Sequence, residues 1–262
     1  MNIQAQAAIV TGGASGLGAQ TARELAKRGA KVAVLDRNGD GARAVAAEIG
    51  AYGQAVGIAC DITSTDSVLA ALAEARAAHG TARILMNIAG IGSAKRIVGK
   101  DGSPAPLEDF KRVVEVNLIG TYNMTRLAVA EMVKLDPLPD TNNSHERGVV
   151  VCTASVAAFD GQVGQQAYSA SKGGVVGMTL PMARDLAQFG VRVVTIAPGL
   201  FLTPLMAELP QPVQDSLAAS IPFPKRLGRP EEFAHLAASI VENMALNGEV
   251  IRIDGALRMA PR

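Results

Sequence analysis

Short runs of β-branched and other apolar residues alternate with longer segments of helical spacing along the whole chain, and this alternation constrains the fold most strongly. We predict strands at 7–11, 31–36, 54–60, 83–87, 148–153, 191–197 and 249–253. Nearly continuous apolar strands that are separated by helices are typical of a parallel sheet buried on both faces. Right-handed crossovers then place helices on both sides of the sheet. The sequence therefore predicts an α/β fold with a doubly wound, mostly parallel, seven-stranded sheet.

The composition fits one domain that spans 1–262, and it narrows the possible ligands. With 48% hydrophobic residues and 27 glycines, the chain can form one packed core with many tight turns. A formal charge of +1 without a basic stripe argues against nucleic acid as the primary ligand. No apolar run approaches the roughly 18 residues that a membrane span requires. The first predicted strand begins at Ala7, so we expect no leader segment and a cytoplasmic protein.

The spacing of the possible metal ligands and the longer insertions are also informative. Cys60 and Cys152 lie in separate apolar runs and the three histidines are scattered, so no metal site is predicted. The segments 93–106, 136–147 and 198–230 interrupt the alternation. The last mixes prolines with apolar side chains, and long irregular segments in compact domains are usually functional. We predict a lid over an apolar pocket at 198–230, with a plain surface loop as the alternative.

The first strand runs into a glycine-rich turn, TGGASGLG at 11–18, and a helix follows at once. Gly12, Gly16 and Gly18 permit a tight turn and a close approach of the backbone to a pyrophosphate. The helix N-terminus presents free N–H groups around Ser15 and Leu17, together with the positive end of its dipole. A tight turn without a ligand is the alternative, but the order strand, loop, helix is what dinucleotide binding requires. We therefore predict a single Rossmann domain that binds a dinucleotide.

The following strand ends supply the rest of the predicted cofactor site. The second strand ends at Asp36, whose carboxylate suits ribose hydroxyls and repels a 2′-phosphate, which favours NAD over NADP. Arg37 beside it is an opposing signal, because arginine can bind a 2′-phosphate. At the third strand end, the Asp61 carboxylate and the Ile62 N–H could read the adenine edge. The fourth strand end adds a turn of small and polar residues at Asn87, Ala89 and Gly90.

The strongest local signal is the pair Tyr168 and Lys172, which lie one helical turn apart and so share a face. A nearby ammonium favours the phenolate, so we expect Lys172 to lower the Tyr168 pKa from about 10 toward neutrality. Such a phenol can remove or return the proton of a secondary alcohol as hydride leaves or arrives. Ser155, at the preceding strand end, is predicted to hold the substrate oxygen. Asn117 is predicted to link Lys172 to solvent through a water molecule.

Several of these residues have plainer interpretations. Tyr168 and Lys172 could be a surface pair, and Asn117 could be a structural amide in the predicted helix at 107–134. Thr203 is predicted to hold the nicotinamide carboxamide, although it could instead cap a helix. Pro198 ends the sixth strand, and Phe201 is predicted to pack beside the cofactor. A Ser/His/Asp hydrolase is poorly supported because no GxSxG turn surrounds Ser155.

Together these residues resemble the short-chain dehydrogenase/reductase family over nearly the whole chain. The segment 11–18 is similar to the family's TGxxxGxG loop, and 87–90 to its NNAG element, with Ile88 in place of the second asparagine. Asn117, Ser155, Tyr168 and Lys172 match the family's catalytic four. The resemblance implies an NAD-dependent enzyme in which Tyr168 is the general base and Lys172 also binds the nicotinamide ribose.

Longer stretches, at 153–159, 161–165, 196–201 and 247–252, are similar to one branch of that family. The resemblance implies NAD-dependent oxidation of short or branched 3-hydroxyacyl-CoA thioesters to 3-oxoacyl-CoA, a place in fatty acid metabolism, and a homotetramer. It also implies that Gln162 and Gln165 lie near the substrate, beside Ser155 and Tyr168. The loop 93–106 differs from that branch in sequence, although Lys95, Arg96 and Lys100 could meet the phosphates of CoA.

Two other functions stay open from the sequence. The same hydride chemistry could act on a steroid or another apolar secondary alcohol, which an apolar lid would also suit. A non-catalytic NAD-binding scaffold is the alternative of a different class. The intact set of Ser155, Tyr168 and Lys172 argues against a complete loss of catalysis.

Overall fold

The chain forms one sheet of seven parallel strands in a computed structural model that describes residues 1–139 and 145–261. The strand order is β3-β2-β1-β4-β5-β6-β7. The strands are β1 (Ala7–Thr11), β2 (Lys31–Asp36), β3 (Gln54–Ala59), β4 (Ile84–Asn87), β5 (Gly148–Thr153), β6 (Val191–Pro198) and β7 (Val250–Ile253). The predicted doubly wound α/β sheet is confirmed, and every strand pair in it is parallel.

Helices pack on both faces of the sheet. They are α1 (Gly16–Lys27), α2 (Gly39–Ile49), α3 (Thr65–His79), α4 (Leu107–Val114), α5 (Thr121–Met132), α6 (Gln166–Ala187), α7 (Pro204–Ala207), α8 (Gln211–Ala219) and α9 (Pro230–Glu242). One buried apolar cluster joins the sheet to α1, α2 and α9, and includes Leu25 and Phe233. A second joins the opposite face to α3, α5 and α6, and includes Leu72 and Met124. Because both faces are covered, the central strands are apolar on both sides.

The order of the strands positions the site. The chain winds outward from β1 to β3 and then returns to pair β4 with β1, so that Thr11 lies between Leu35 and Asn87. A crevice opens at the carboxyl ends of parallel strands where the winding reverses, and ligands of such sheets bind there. Within the described residues, no helix is long and apolar enough to cross a membrane.

Two expectations about local structure were wrong. The segment 198–230 is not irregular, because it contains α7 and α8. Its prolines include Pro204, which begins α7, and proline is favoured in the first turn of a helix because it has no N–H to leave unpaired. The helix expected at 107–134 is interrupted by a π-helical segment, Glu115–Gly120, between α4 and α5. In the insertion at 136–147, positions 140–144 lie outside the described residues.

Candidate active site

A cleft of about 440 Å³ opens at the carboxyl ends of the first four strands. It is lined by most of the residues predicted to bind a dinucleotide: Gly12, Ser15, Gly16, Leu17, Gly18, Asp36, Asp61, Ile62, Ala89, Gly90 and Thr203. Arg37 and Ile88 also line it. Four separate segments of sequence therefore meet at one crevice, as their positions at strand ends predicted.

The glycine-rich turn is shaped for close approach of the backbone. Gly12 has φ of +67°, and a Cβ atom there would lie 2.7 Å from the Cα atom of Ala89. A Cβ atom on Gly18 would lie 2.0 Å from the carbonyl oxygen of Gly12. Ser15, which precedes α1, makes no capping hydrogen bond with its side chain. The first N–H groups of an α-helix have no intrahelical acceptor, and in α1 the Ser15 side chain does not supply one. These N–H groups are therefore suited to bind an anion such as a pyrophosphate.

The carboxylate of Asp36 is held at the rim of this cleft. Its Oδ2 accepts a hydrogen bond of 3.1 Å from the backbone N–H of Ala14, and its Oδ1 accepts one of 2.9 Å from Asn38. The glycine-rich turn and the end of β2 are thus joined through one side chain. An anchored carboxylate at this point can accept hydrogen bonds from hydroxyl groups and repels a phosphate.

Neighbouring loops are fixed by similar contacts. The Thr63 side chain and backbone N–H donate to the Asp61 carboxylate, and these bonds hold the Asp61 pKa below its usual value. The carbonyl oxygen of Ile62 accepts a hydrogen bond of 2.9 Å from Asn123 on α5. The loop predicted to read adenine is therefore ordered by the protein itself.

Two predicted cofactor residues direct their side chains into the core instead. The Asn87 amide donates to the Thr125 hydroxyl at 2.9 Å and lies 3.8 Å from the Cys152 sulfur. Phe201 is buried and packs edge-to-face on Phe233, with ring centroids 6.3 Å apart. The Phe201 ring is thus packed in the core, whereas the buried Oδ1 of Asn87 has no hydrogen-bond partner among the described residues. Pro198, at the end of β6, is also buried.

The four predicted catalytic residues converge beside the cleft. Tyr168 and Lys172 lie one turn apart in α6, with the Lys172 nitrogen 5.9 Å from the centre of the Tyr168 ring. Ser155 ends the loop after β5, and its Oγ accepts a hydrogen bond of 3.1 Å from the N–H of Ala157. That bond leaves the hydroxyl proton of Ser155 free to be donated elsewhere.

The electrostatics of the Tyr168–Lys172 pair differ from the expectation. Burial raises the pKa of the Tyr168 phenol, and the Ser155 side chain lowers it by a smaller amount. Lys172 is 4% exposed, and burial lowers its own pKa to about 8. The expected lowering of the Tyr168 pKa toward neutrality by Lys172 is wrong for this geometry, because removal of the phenol from water is the largest influence on its pKa and the opposing influence comes from Ser155. Ser155 is the group that favours the phenolate here.

Asn117 lies in the π-helical segment and is completely buried. Its Oδ1 accepts a hydrogen bond of 2.8 Å from the N–H of Ile91, and its Nδ2 donates to the Ile91 carbonyl at 2.9 Å. A Cβ atom on Gly90 would lie 3.1 Å from Asn117 Oδ1 and 3.3 Å from the Lys172 nitrogen. Asn117 and Lys172 therefore flank the same point above Gly90. π-Helical turns occur frequently at functional sites.

The two glutamines lie on the loop after Ser155 but are engaged with each other and with a distant segment. Gln165 Oε1 accepts a hydrogen bond of 3.0 Å from the N–H of Gln162, and Gln162 Nε2 donates to the carbonyl oxygen of Ala260 at 3.1 Å. Gln162 also lines an open surface pocket of about 540 Å³ together with Arg96 and Ile97. The loop 93–106 thus borders the loop after Ser155.

Sequence reasoning missed some features of this region. Arg112 and Val116 line the cleft from α4 and the π-helical segment, although only Asn117 was singled out there. Their one-turn spacing on a common face was the available signal.

Both cysteines are buried free thiols whose pKa values burial raises to about 11, which disfavours a thiolate at neutral pH. Among the described residues, no group of His, Cys, Asp and Glu is arranged to hold a metal ion.

Comparison with known proteins identifies the family. Residues 6–214 match the family described as short chain dehydrogenase. The chain is 51% identical over 261 residues to 3-hydroxyacyl-CoA dehydrogenase type-2 of Homo sapiens, covering 99% of this chain and 98% of that protein. The chain therefore belongs to the short-chain dehydrogenase family.

Two solved structures are similar over the full fold. The crystal structure of 3-hydroxyacyl-CoA dehydrogenase type-2 from Mycobacterium avium is 44% identical, with a TM-score of 0.89 and coverage of 98% of this chain and 97% of that one. The 3-ketoacyl-(acyl-carrier-protein) reductase from Brucella melitensis, solved in complex with NADH, is 31% identical. Its TM-score is 0.82, and 98% of this chain and 100% of that chain are covered.

Proposed function

We propose that this protein is an NAD-dependent dehydrogenase that reversibly oxidises short or branched 3-hydroxyacyl-CoA thioesters to 3-oxoacyl-CoA. The observation that carries the proposal is the convergence of Ser155, Tyr168, Lys172 and Asn117 beside a cleft with dinucleotide-binding features. The names of the relatives from Homo sapiens and Mycobacterium avium supply the substrate class.

NAD fits the residues present in the cleft. The uncapped start of α1 suits the pyrophosphate, and the anchored Asp36 carboxylate suits the adenosine ribose and disfavours a 2′-phosphate. The Brucella melitensis relative was solved with NADH. The residues that we assign to NAD are Gly12, Ser15, Gly16, Leu17, Gly18, Asp36, Asp61, Ile62, Asn87, Ala89, Gly90, Tyr168, Lys172, Pro198, Phe201 and Thr203.

When bound in this cleft, NAD would supply the acceptor for the hydride from C3 of the substrate. Tyr168 takes the proton from the 3-hydroxyl group and returns it in the reverse direction. Ser155 donates a hydrogen bond to the same oxygen and also favours the phenolate form of Tyr168. The Lys172 ammonium group would hold the nicotinamide ribose, and Asn117, which lies beside the same point above Gly90, would position a water molecule through which the proton reaches solvent.

The thioester end of the substrate has a suitable path past the loop 93–106. Gln162 and Gln165 follow Ser155 in the chain, and the pocket that Gln162 lines is also lined by Arg96 and Ile97. Lys95 and Lys100 add positive charge to the same loop, although Lys95 forms an ion pair with Asp109. A cation beside an apolar surface suits the phosphates and the pantetheine arm of CoA.

The test is to follow NADH absorbance in purified protein supplied separately with acetoacetyl-CoA and with a ketosteroid. We expect kcat/KM to be at least about 100-fold higher on the thioester, a discrimination of about 3 kcal/mol. Activity on the steroid alone would contradict the substrate assignment and keep the hydride transfer. Absence of turnover with NADH bound would instead support a non-catalytic scaffold.

We also propose a homotetramer in the cytoplasm. Exposed apolar side chains occur on α4, the π-helical segment, α5 and α6: Leu107, Phe110, Ile119, Tyr122 and Leu180. Apolar surface of this kind often marks contacts between subunits. Free thiols at both cysteines suit a reducing compartment. Light scattering of the purified protein tests the subunit number, since a monomer would contradict it, and cell fractionation tests the location.

A further inference from the structure

One guanidinium, that of Arg252 in β7, joins the loop after Ser155 to the stretch that follows β7. Its Nη2 donates to the Asp160 carboxylate at 2.6 Å, and its Nε donates to the Asp254 carboxylate at 2.6 Å. Nη2 also donates to the carbonyl oxygen of Leu257 at 2.9 Å. The side chains of Arg252 and Asp160 are only 20% and 21% exposed, so this ion pair is better protected from screening than a surface pair.

The first segment begins directly after the catalytic serine. Ser155 caps a short 3₁₀ turn, Val156–Ala158, and the next two residues are Phe159 and Asp160. The Arg252 guanidinium lies 5.2 Å from the centre of the Phe159 ring while it binds Asp160. Two consecutive residues of the loop are thus held by one cation, through a cation–π contact and an ion pair. We call the residues 159–165 the substrate loop.

A second segment, residues 257–261, lies along the substrate loop. The Gln162 side chain donates to the Ala260 carbonyl at 3.1 Å, and the N–H of Val163 donates to the Pro261 carbonyl at 3.0 Å. Arg252 binds Asp160 in the substrate loop and Leu257 at the start of this second segment. The guanidinium therefore holds both of the segments that these contacts join.

The third segment connects Arg252 to the cofactor side. Asp254 packs on the turn that ends β6, where a Cβ atom on Gly199 would lie 2.9 Å from the Asp254 Cβ. The N–H of Gly199 also donates to the carbonyl oxygen of Ile253 at 3.0 Å. The turn at Gly199 leads from Pro198 to the segment assigned to the nicotinamide end. Arg252 therefore spans the distance between the substrate loop and the cofactor side of the site.

We propose that Arg252 and Asp160 are positioning residues for the acyl substrate, because their ion pair sets the place of the substrate loop relative to the cofactor end. This inference rests on the dehydrogenase function proposed above. Neither residue takes part in proton or hydride transfer. Their effect is transmitted through Gln162 and the loop that follows Ser155. It should therefore change KM for the substrate more than kcat.

The test uses Asp160→Ala, which removes the pair and leaves the bonds of Arg252 to Asp254 and Leu257 in place. We expect KM for acetoacetyl-CoA to rise about tenfold, as the loss of a charged hydrogen bond predicts, with a smaller change in kcat and an unchanged Kd for NADH. Asp160→Glu, which keeps a carboxylate within reach, should restore most of the loss. Arg258→Gln is the matched control: Arg258 binds the same two acceptors as Arg252 outside the substrate loop, Asp254 at 3.2 Å and the Leu257 carbonyl at 2.7 Å, but its side chain is exposed.

A second measurement does not depend on turnover. Hydrogen exchange in the substrate loop, including the N–H of Val163, should be faster in Asp160→Ala than in the wild type or in Arg258→Gln. Unchanged KM together with unchanged exchange would overturn the proposal. Parallel losses of NADH binding and thermal stability would also overturn it, since they would show a general structural role. A wild type that lacks thioester turnover would contradict the proposed function, while the exchange result would still decide the role of the ion pair.

Discussion

The Lys172 ammonium donates a hydrogen bond of 2.7 Å to the carbonyl oxygen of Thr153, which fixes the lysine of α6 against the end of β5. This lysine is removed from water, and burial lowers its pKa from 10.5 to about 8. The folded protein therefore releases this proton at a lower pH than the unfolded chain does. This difference makes the free energy of unfolding depend on pH, which can be measured without an activity assay.

Lys172→Met should reveal that consequence as a pH-dependent stability difference. Between pH 8 and pH 10.5 the unfolded wild type binds the Lys172 proton and the folded wild type does not. The free energy of unfolding of the wild type therefore rises with pH in this window, whereas the variant has no such group. We expect a gain of roughly 2–3 kcal/mol relative to the variant. Urea unfolding at fixed protein concentration checks it, and a constant difference across the window would contradict the burial argument.

Ser155→Ala should shift the pH profile of the reaction. The Ser155 side chain lowers the pKa of Tyr168 against the opposing effect of burial, so its removal should raise that pKa further. Oxidation requires the phenolate, so its kcat/KM should rise with pH, and the rise should move to higher pH in the variant. The profile of alcohol oxidation from neutral to alkaline pH is the measurement. Lower activity with an unmoved profile would show that Ser155 only binds the substrate.

Tyr168→Phe should abolish proton transfer and leave NAD binding nearly intact. The phenol is the proton donor and acceptor that we place at the substrate oxygen, and general acid–base groups contribute about 10²- to 10⁴-fold in rate. We expect kcat to fall by at least this factor, with little change in the Kd for NADH measured by fluorescence. Appreciable remaining turnover would count against Tyr168 as the base.

Asp36→Ala should erode the preference for NAD. The variant loses the carboxylate that faces the ribose and leaves Arg37, which also lines the cleft, available to a 2′-phosphate. We expect the Kd for NADH to rise about tenfold or more, as the loss of a charged hydrogen bond predicts, while the Kd for NADPH falls. Asp40→Ala is the control, because Asp40 is an exposed carboxylate nearby that pairs with Arg43. An unchanged ratio of the two Kd values would overturn the assignment.

Gly18→Ala should damage both the fold and the cofactor cleft. Its Cβ would lie 2.0 Å from the Gly12 carbonyl oxygen, so the glycine-rich turn must move to admit it. Overpacking of this kind costs about 1–3 kcal/mol. We expect that loss in the free energy of unfolding, together with weaker NADH binding. Lys27→Ala, at the exposed end of the same helix, should stay within about 0.5 kcal/mol of the wild type.

The sequence was sufficient for the strands and for their meeting at one crevice, because apolar runs and glycines report local requirements. Asp36 and Ser15 were predicted at the cleft for this reason, and both line it. The direction of the Asn87 side chain could not be predicted, since it depends on Thr125 and Cys152, which are distant in sequence. Contacts between residues so distant in sequence form only when the helices and strands pack together.

The pKa shifts of the catalytic side chains and the contacts of the outer loops could not be predicted from the sequence either. The one-turn spacing of Tyr168 and Lys172 indicated their proximity but not their burial, and burial determines both pKa directions. The contact of Arg252 with Asp160 links positions 92 residues apart, and the local sequence pattern does not predict it. Helices α7 and α8 were missed because proline was interpreted as a sign of a loop.

The π-helical segment Glu115–Gly120 limits how the length of this chain can change. An α-helix turns about 100° per residue, so a wider turn between α4 and α5 shifts the angular phase of one helix relative to the other. That shift lets Arg112 face the cleft while Met124 is completely buried in the core. Deleting one residue here would force one of these two faces to rotate away. Apart from Asn117 and the tightly packed Gly120, substitutions in this segment should therefore be tolerated more readily than insertions or deletions, and descendants of this chain should keep the number of residues in it.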